Sequence, residues 1–380
     1  MFLALDDFEP AARRRLPRPL FGYVAGAAES GSAARDNRAA LDALRLVPSV
    51  LRGVEGRTTA TPCLGEDWAA PFGIAPMGIA ALMADDGDLA MARAAGQAGV
   101  PFVLSGSSLT PLEEVAAANP RAWFQAYLPG EEDRIRALVA RVGRAGFGTL
   151  VLTADTAVIA NRETNVRAGF STPLRVTPRL LWDFAIRPRW VLGTFLPTLR
   201  RRGIPHFENS FATRGAPIVS RRAARDFGRK DHLSWDHLAL IRDIWPGRLV
   251  LKGVLAPGDV GRARARGCDG VILSNHGGRQ LDHAISPLRL LPEARAEAGA
   301  MAVMVDGGIR RGTDVIKARA LGADLVFVGR PFLYAATLGG EALVGRAIGI
   351  LRSEVHRNLG LLGLRGVDEI TDAVLFPVGG

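Results

Sequence analysis

The sequence has few cysteines and no long apolar run, and both absences limit the class of protein. Only two cysteines, Cys63 and Cys268, occur in 380 residues, far apart and without metal-type spacing. A disulfide-stapled secreted scaffold is therefore excluded, no metal site is expected, and a reducing cytosolic setting is favoured. The first residues, Met1 to Asp7, become acidic too early for a signal peptide, and no run of eighteen apolar residues follows. We expect neither secretion nor a membrane-spanning helix.

Positive charge is concentrated in one segment. Residues 166–230, named here the basic insert, contain fourteen Lys/Arg and three Asp/Glu, whereas the whole chain carries a net charge of +10. The segment also contains Trp182, Phe184, Trp190 and Phe195. This composition favours attachment to an anionic membrane surface, and a solvated active-site lid is a compatible alternative. Nucleic acid is not an expected partner because no recognition motif accompanies the charge.

From residue 71 onwards, short apolar segments alternate with segments that can form helices. The predicted strands are Phe72–Ala75, Pro101–Ser105, Trp123–Tyr127, Leu150–Asp155, Leu249–Lys252, Gly270–Asn275, Ala302–Asp306 and Leu325–Gly329. Eight strand-helix units predict an α/β fold of the parallel (β/α)₈ TIM-barrel type, with an open doubly wound sheet as the alternative. We expect a single domain over 1–380, comprising an N-terminal helical cap (1–70), the barrel (71–362) with the basic insert after its fourth strand, and a C-terminal tail (363–380).

One nonapeptide, Ser274–Asp282, follows the sixth predicted strand and contains His276 and Arg279. In a parallel barrel the carboxyl ends of the strands carry the chemistry. A histidine that titrates near neutrality, beside an arginine that can grip a carboxylate, suits proton abstraction from a carboxylate-bearing substrate. The alternative is a histidine that caps a turn and a solvated arginine.

Two glycine- and arginine-containing loops follow the seventh and eighth predicted strands, at Asp306–Gly312 and Gly329–Pro331. Barrels commonly bind phosphate at these positions through backbone N–H groups, although the glycines could also form tight turns only. Lys252 ends a buried strand and needs an anionic partner. A reduced flavin, a Schiff-base role and a simple salt bridge are its three alternatives.

Six motifs give the chain a resemblance to the FMN-dependent α-hydroxy-acid oxidases and dehydrogenases, closest to the mandelate and lactate dehydrogenase branch. In the family's order and spacing, from about residue 5 to about residue 372, they are Phe21–Tyr23, Trp123–Tyr127, Thr153–Asp155, Leu251–Gly253, Ser274–Asp282 and Asp306–Gly312. The resemblance implies an FMN cofactor and a homotetramer. It also implies oxidation of an (S)-2-hydroxy acid, mandelate-like or lactate-like, to the 2-oxo acid.

The resemblance also implies a role for each matching residue. His276 is the expected base, supported by Asp155, and Tyr127 faces the substrate hydroxyl. The expected substrate-binding residues are Tyr23, Arg162, Arg279 and Gly78. The expected FMN-binding residues are Ala75, Pro76, Met77, Ser105, Gln125, Thr153, Lys252, Ser274, Asp306, Gly308, Arg310, Gly329 and Arg330. Gly78 replaces a small side chain found in glycolate oxidases, and the space this frees suits an aryl or long-chain hydroxy acid.

Electrons are expected to pass to a quinone or another membrane acceptor, from an enzyme attached to the inner face of the cell membrane. The main alternative is an oxidase that uses O₂ and produces H₂O₂. Two further alternatives are a flavin barrel with non-redox or peptide-modifying chemistry, which would not need Arg162, Arg279 and Tyr23, and a non-catalytic membrane-surface protein.

Overall fold

The computed structural model describes residues 1–171, 173–220 and 231–377. Within these residues, eight parallel strands form one sheet in the order β1-β8-β7-β6-β5-β4-β3-β2. Their bounds are β1 Phe72–Ile74, β2 Val103–Ser105, β3 Trp123–Ala126, β4 Thr149–Thr153, β5 Arg248–Val254, β6 Gly270–Leu273, β7 Ala302–Asp306 and β8 Leu325–Val328. A parallel bridge between Ile74 and Phe102 joins β1 to β2 and closes the ring. The predicted barrel is confirmed, and the open sheet is ruled out.

The barrel strands are mainly apolar because both of their faces are buried, and their polar side chains, such as Ser105, Thr153 and Asp306, stand mostly towards the carboxyl ends. In β4, Val151 points into the barrel, whereas Leu150 and Leu152 pack outward against the helices. Met304 of β7 points inward in the same way. This alternation follows from the two-residue period of a strand.

Helices surround the barrel, form the N-terminal cap and occur in the basic insert. They are α1 Phe8–Arg15, α2 Arg18–Ala25, α3 Ser32–Asp42, α4 Gly87–Ala98, α5 Leu112–Ala118, α6 Glu132–Arg144, α7 Glu163–Ala168, α8 Pro178–Ala185, α9 Pro188–Trp190, α10 Leu196–Arg202, α11 Trp235–Ile244, α12 Pro257–Ala265, α13 Leu291–Ala298, α14 Gly312–Ala320 and α15 Arg330–Leu362. Helix α15 kinks where Gly339 and Gly340 leave helical backbone angles.

Two pairs of short strands lie outside the barrel. One pair joins the N-terminal cap to the C-terminal segment, and the other closes the amino-terminal end of the barrel. Leu44–Leu46 pairs antiparallel with Leu375–Pro377, so the cap and the C-terminal segment are joined. A hairpin of Thr61–Cys63 and Glu66–Trp68 places Trp68 against Trp123, with ring centroids 6.4 Å apart. The open end of the barrel is therefore the opposite one, where the strands finish.

The basic insert is helical over much of its described length. Thr177 caps α8 by accepting a hydrogen bond from the Leu180 N–H (3.1 Å), and Pro178 occupies the first helical position. Helix α9, a π-helical turn (Val191–Phe195) and α10 then run on without a break, and residues 188–202 are named here the insert rod. Residues 172 and 221–230 of the basic insert, and 378–380 of the predicted tail, lie outside the described residues.

Three of the four aromatic residues noted in the basic insert are internal. Trp190 is 1% exposed, and its Nε1–H donates to the Leu82 carbonyl (2.9 Å). The Phe184 and Phe195 rings lie 4.6 and 5.5 Å from the Trp190 ring. Trp182, in contrast, is 66% exposed. Trp190 is thus buried and Phe184 and Phe195 are half-buried in an aromatic cluster that fixes the insert rod to the barrel, so Trp182 is the one of the four that is exposed to a membrane surface.

Part of the insert's positive charge is neutralised by acidic residues of the barrel. Arg202 lies 2.8 Å from carboxylate oxygens of both Asp86 and Glu114, and Arg201 lies 2.9 Å from Asp85. These ion pairs attach the carboxyl end of the insert rod to the loop before α4. No described helix combines the length and the apolar character needed to cross a bilayer.

Candidate active site

A cavity of about 370 Å³ opens at the carboxyl ends of the barrel strands. Most of the residues predicted for the site line it: Tyr23, Ala75, Pro76, Met77, Gly78, Tyr127, Thr153, Arg162, Lys252, His276, Arg279, Asp306, Gly308, Arg310, Gly329 and Arg330. The other predicted residues, Ser105, Gln125, Asp155 and Ser274, lie behind this lining. Each of the four is buried or half-buried, and Asp155 and Ser274 hold lining residues in place.

His276 and Asp155 form a hydrogen-bonded pair. His276 follows β6 in a left-handed backbone conformation (φ 57°), and its N–H donates to Ser274 Oγ (3.0 Å). This uncommon conformation turns the ring so that Nδ1 lies 3.1 Å from both carboxylate oxygens of Asp155. With Nδ1–H donating to Asp155, Nε2 is the nitrogen that remains to accept a proton.

The environment keeps Asp155 ionised. Burial by itself raises the pKa of Asp155, but the interaction with His276 and the Lys252 charge outweigh burial, so this pKa lies below its ordinary value. A carboxylate that stays charged stabilises the protonated form of the neighbouring imidazole. The pair can therefore accept a proton and hold it.

Two arginines from different elements meet beside this pair. Arg162 precedes α7, and its Nε–H donates to the Arg279 carbonyl (2.9 Å). Arg162 also donates to the Gln280 side chain, whose Nε2 donates to the Asp155 carbonyl (2.8 Å). The Arg162 guanidinium is thus hydrogen-bonded to the backbone of Arg279 and, through Gln280, to the backbone of Asp155.

The Arg279 side chain is tied to the cap. Its Nη1 donates to the carbonyls of Tyr23 (2.5 Å) and Gly26 (3.0 Å) at the end of α2. Burial, reinforced by Arg162, lowers the pKa of Arg279 to about 9. The group therefore remains a cation at neutral pH, and a bound anion would offset the cost of burying two cations together.

Lys252 forms a buried salt bridge. Its Nζ lies 2.9 Å from Asp306 Oδ2 and donates to Ser274 Oγ (2.7 Å), which in turn donates to Asp306 Oδ1 (2.6 Å). The salt-bridge alternative considered for Lys252 is thus present. Because Lys252 also lines the cavity, the salt bridge is compatible with contact to a cofactor.

The polar atoms at the cavity floor fit a flat, polar ring. Gln125 is fully buried, and its Oε1 accepts hydrogen bonds from Ser105 Oγ (3.2 Å) and Gly106 N–H (3.3 Å). Among the described residues, neither Gln125 Nε2 nor Thr153 Oγ1 has a hydrogen-bond partner, although both atoms are buried. Buried polar atoms are rarely left unpaired, so these two atoms indicate a ligand with hydrogen-bonding groups at this point.

The other end of the cavity fits a phosphate group. Gly307 and Gly308 have φ values of +109° and +80°, and a side chain at Gly308 would begin 2.8 Å from the Asn37 carbonyl. Gly329, the N-cap of helix α15, lines the cavity together with Arg310. Glycine backbone, a helix amino end and arginine are the groups that bind phosphate. The two ends together fit FMN.

Arg330 has a second role that the sequence did not reveal. Its guanidinium donates to the carbonyls of Val24, Gly26 and Gly277, each at 3.0 Å. Burial, followed by the nearby Arg310 cation, lowers the pKa of Arg330. Arg330 thereby joins the cap, the loop after β6 and the start of α15.

The loop after β6 is also fixed by the cap through side-chain amides and a carboxylate. The amides of Asn37 and Asn275 exchange two hydrogen bonds (2.9 and 2.8 Å). The Asp282 carboxylate accepts from the N–H groups of Ser30 (2.9 Å) and Ala33 (3.0 Å). The cap therefore holds both ends of the nonapeptide Ser274–Asp282.

Sequence reasoning missed several residues of the cavity wall. Phe170, Phe207 and Ile218 come from the basic insert and line the cavity, yet each is no more than 6% exposed. They stand in stretches without regular periodicity, so no sequence signal pointed to them. Gln280 was part of the nonapeptide but had been given no role.

Comparisons with known proteins agree with this geometry. Residues 12–377 match the family model described as FMN-dependent dehydrogenase. The (S)-mandelate dehydrogenase of Pseudomonas putida is 35% identical over 368 residues, covering 97% of this chain and 92% of that protein. An L-lactate dehydrogenase of Pectobacterium atrosepticum is 37% identical, covering 99% of this chain and 97% of that protein.

Solved structures show the same similarity over the whole chain. A structure described as the monotopic membrane protein (S)-mandelate dehydrogenase superposes with a TM-score of 0.92 at 34% identity, covering 99% of both chains. A mandelate oxidase superposes with a TM-score of 0.81 at 33% identity, covering 99% of this chain and 98% of that one.

Proposed function

Because the chain belongs to the family of FMN-dependent dehydrogenases, we propose that it oxidises an (S)-2-hydroxy acid to the 2-oxo acid. Its dependence on FMN follows from the family. The observation that carries the substrate class is that His276, paired with Asp155, lines the same cavity as Arg162 and Arg279. A base next to two half-buried cations is the arrangement that a hydroxy acid requires.

Arg162 and Arg279 would bind the substrate carboxylate. A guanidinium can donate two parallel hydrogen bonds to a carboxylate, which fixes both position and orientation. Gln280 joins the Arg162 guanidinium to the Asp155 carbonyl, so a carboxylate bound to Arg162 would be held at a set distance from the base. Tyr23, whose ring lies 5.0 Å from the Arg279 guanidinium, would complete this subsite.

His276 would take a proton from the hydroxy-acid centre through Nε2. Asp155 fixes the tautomer and stabilises the imidazolium that results. Burial, followed by the Asp155 charge, raises the pKa of Tyr127 above its ordinary value. Tyr127 therefore stays protonated and can donate a hydrogen bond to the substrate oxygen.

FMN, when bound, supplies the acceptor for two electrons. We propose that Ala75, Pro76 and Met77 lie against its ring. The polar groups offered to the ring are those of Ser105, Gln125, Thr153, Lys252 and Ser274. Those offered to the ribityl-phosphate are on Asp306, Gly308, Arg310, Gly329 and Arg330. Lys252 provides a positive charge at the ring, which favours the reduced state.

The experiment is anaerobic mixing of the yellow holoenzyme with the two enantiomers of mandelate and of lactate. We expect bleaching of the flavin absorbance by an (S)-enantiomer and little or none by its (R)-partner. Absence of bleaching by any 2-hydroxy acid would overturn the proposed activity. Barrels with other flavin chemistry and a non-catalytic protein would both give that result.

We propose that a membrane quinone, and not O₂, reoxidises the enzyme. Support comes from the high similarity to a protein described as monotopic in the membrane, and from exposed apolar side chains on the helices of the basic insert. These side chains, named here the outer face, are Leu181, Trp182, Ile186, Leu192, Leu196 and Leu199. The similarity to a mandelate oxidase keeps O₂ as the second candidate. Stoichiometric peroxide formation in air would favour the oxidase.

We propose that the outer face attaches the protein to the cytoplasmic side of the cell membrane. Binding to anionic vesicles tests the attachment. Leu192, Leu196 and Leu199 are spaced by four and three residues, which places them on one side of the insert rod. We expect Leu192→Ser combined with Leu196→Ser to reduce cosedimentation with anionic vesicles. A matched control is Leu361→Ser, since Leu361 is 64% exposed on α15. Equal binding by all three proteins would place the membrane contact elsewhere.

A further inference from the structure

We propose that the basic insert determines substrate preference through three apolar side chains, Phe170, Phe207 and Ile218, named here the insert wall. The proposal rests on the proposed function and assigns the insert wall to the 2-substituent of the hydroxy acid. The chemical class it selects is a hydroxy acid with an aryl or long alkyl 2-substituent.

Two of the three side chains of the insert wall, Phe207 and Ile218, stand on a hairpin in the second half of the basic insert. A bridge pairs His206 with Pro217, the Phe207 N–H donates to the Ala216 carbonyl (3.1 Å), and the Ile218 N–H donates to the Pro205 carbonyl (2.9 Å). This pairing brings Phe207 and Ile218, eleven positions apart in the chain, to the same cavity.

The hairpin is fixed to the barrel and does not depend on the outer face for its position. Asn209 is 1% exposed; its Nδ2 donates to the Thr110 carbonyl (2.8 Å), and its Oδ1 accepts from the Leu112 N–H (2.9 Å). Arg141 of α6 donates to the Glu208 carbonyl (2.7 Å). A wall held by so many hydrogen bonds presents a constant surface to a ligand.

The neighbours of the insert wall place it at the substrate end of the cavity. The Phe170 ring lies 4.6 Å from the Tyr23 ring. The Glu208 N–H donates to the Ser108 carbonyl (3.2 Å), so Phe207 lies beside the loop that contributes Ser107 to the cavity. Gly78 lies between the same two residues, since a Cβ atom there would come 3.0 Å from Ser107 Cβ and 3.5 Å from Tyr23 Oη, so a side chain at this position would crowd the cavity.

The physical reason for selectivity is desolvation. Phe170, Phe207 and Ile218 are 6%, 5% and 3% exposed, so the space they bound is apolar and shielded. An aryl or long alkyl substituent would bury a large apolar area against these three side chains. The methyl group of lactate would bury a much smaller area. The missing side chain at Gly78 gives the larger substituent its room.

The test compares kcat/KM for (S)-mandelate and (S)-lactate in the holoenzyme and in Phe207→Ala and Ile218→Ala. We expect the mandelate-to-lactate ratio to fall about 10-fold or more in each variant, since a missing methylene in an apolar pocket already changes selectivity by about that factor. Phe207→Leu should retain most of the ratio. Val219→Ala is the matched control, because Val219 is adjacent in sequence but 43% exposed.

FMN content and the melting temperature, measured for every variant, separate pocket effects from misfolding. A folded, yellow Phe207→Ala protein with an unchanged ratio would overturn the inference about the insert wall while leaving the proposed function intact. A wild-type protein that no 2-hydroxy acid bleaches would instead overturn the proposed function itself.

Discussion

At the scale of single residues, the site depends on charged groups that are held in pairs. His276 with Asp155, and Lys252 with Asp306, each join a cation-forming side chain to a carboxylate at hydrogen-bond distance. The position of His276 just past a strand was predictable from the apolar run Gly270–Leu273 before it. Its left-handed backbone was not, because that conformation depends on contacts with the cap that no local pattern encodes.

Asp155→Asn tests the first pair. We expect the variant to bind FMN but to be reduced by substrate about 10²-fold more slowly, since an amide does not stabilise the imidazolium as a carboxylate does. Stopped-flow absorbance measures this rate. A variant that is reduced at the wild-type rate would contradict the assignment of Asp155.

The same variant gives a pH prediction. The pKa of Asp155 is lowered in the folded protein, so its charge contributes stability above the unfolded-state value of about 4. That contribution is lost only as the pH falls through the lower folded value. The difference in melting temperature between wild type and Asp155→Asn should therefore be full at pH 6 to 7 and should shrink towards pH 3. A constant difference over this range would show that charge is not the cause.

Lys252 and Asp306 form a pair that can be tested by a double-mutant cycle. Lys252→Met leaves the Asp306 carboxylate buried without its cation, and breaking such a pair costs about 3–5 kcal/mol. The double variant Lys252→Met with Asp306→Asn should recover part of this free energy of unfolding in urea. If the two single changes are additive instead, the salt bridge contributes little coupling.

At the scale of elements, the barrel strands were predictable and the insert helices were not. Buried parallel strands give continuous apolar runs such as Leu325–Val328, whereas Pro178, Pro188 and Pro197 divide the sequence of α8 and the insert rod into segments too short to show a helical period. The composition of the basic insert predicted a segment that lies at a membrane surface. It did not distinguish Trp190, which is buried, from Trp182, which is exposed, because burial there depends on the Leu82 carbonyl from a distant loop.

The hairpin after the insert rod should be an integral part of the barrel. Excision of residues 179–209 would remove Phe207 and Asn209, so a loop deletion that spares the active site has to end before Pro205. Asn209→Ala removes two buried hydrogen bonds: the Leu112 N–H loses its acceptor, and the Thr110 carbonyl keeps only the longer contact with Ser108 Oγ (3.3 Å). We expect it to lower the free energy of unfolding by about 2–4 kcal/mol. Asn358→Ala, on α15 beyond the site, is the control, and a loss no larger than the control's would contradict this role.

At the scale of the whole molecule, the cap, the barrel and the basic insert each contribute to one cavity. The barrel supplies the base and the phosphate end, the cap supplies carbonyls to Arg279 and Arg330, and the insert supplies the apolar wall. The barrel architecture could be predicted from the sequence, and most of the predicted site residues line the cavity. The contributions of the cap carbonyls and of the insert wall could not be predicted, because backbone acceptors and isolated apolar residues produce no recognisable sequence pattern. The homotetramer stays a prediction.

The central claim is that His276 removes the proton in a site that binds the hydroxy acid independently of it. The most direct measurement is the rate of anaerobic flavin reduction in His276→Gln, with binding of the 2-oxo acid product followed by its perturbation of the flavin spectrum. We predict retained FMN, retained product binding and reduction at least about 10²-fold slower than wild type. Reduction at a near-wild-type rate would contradict the claim.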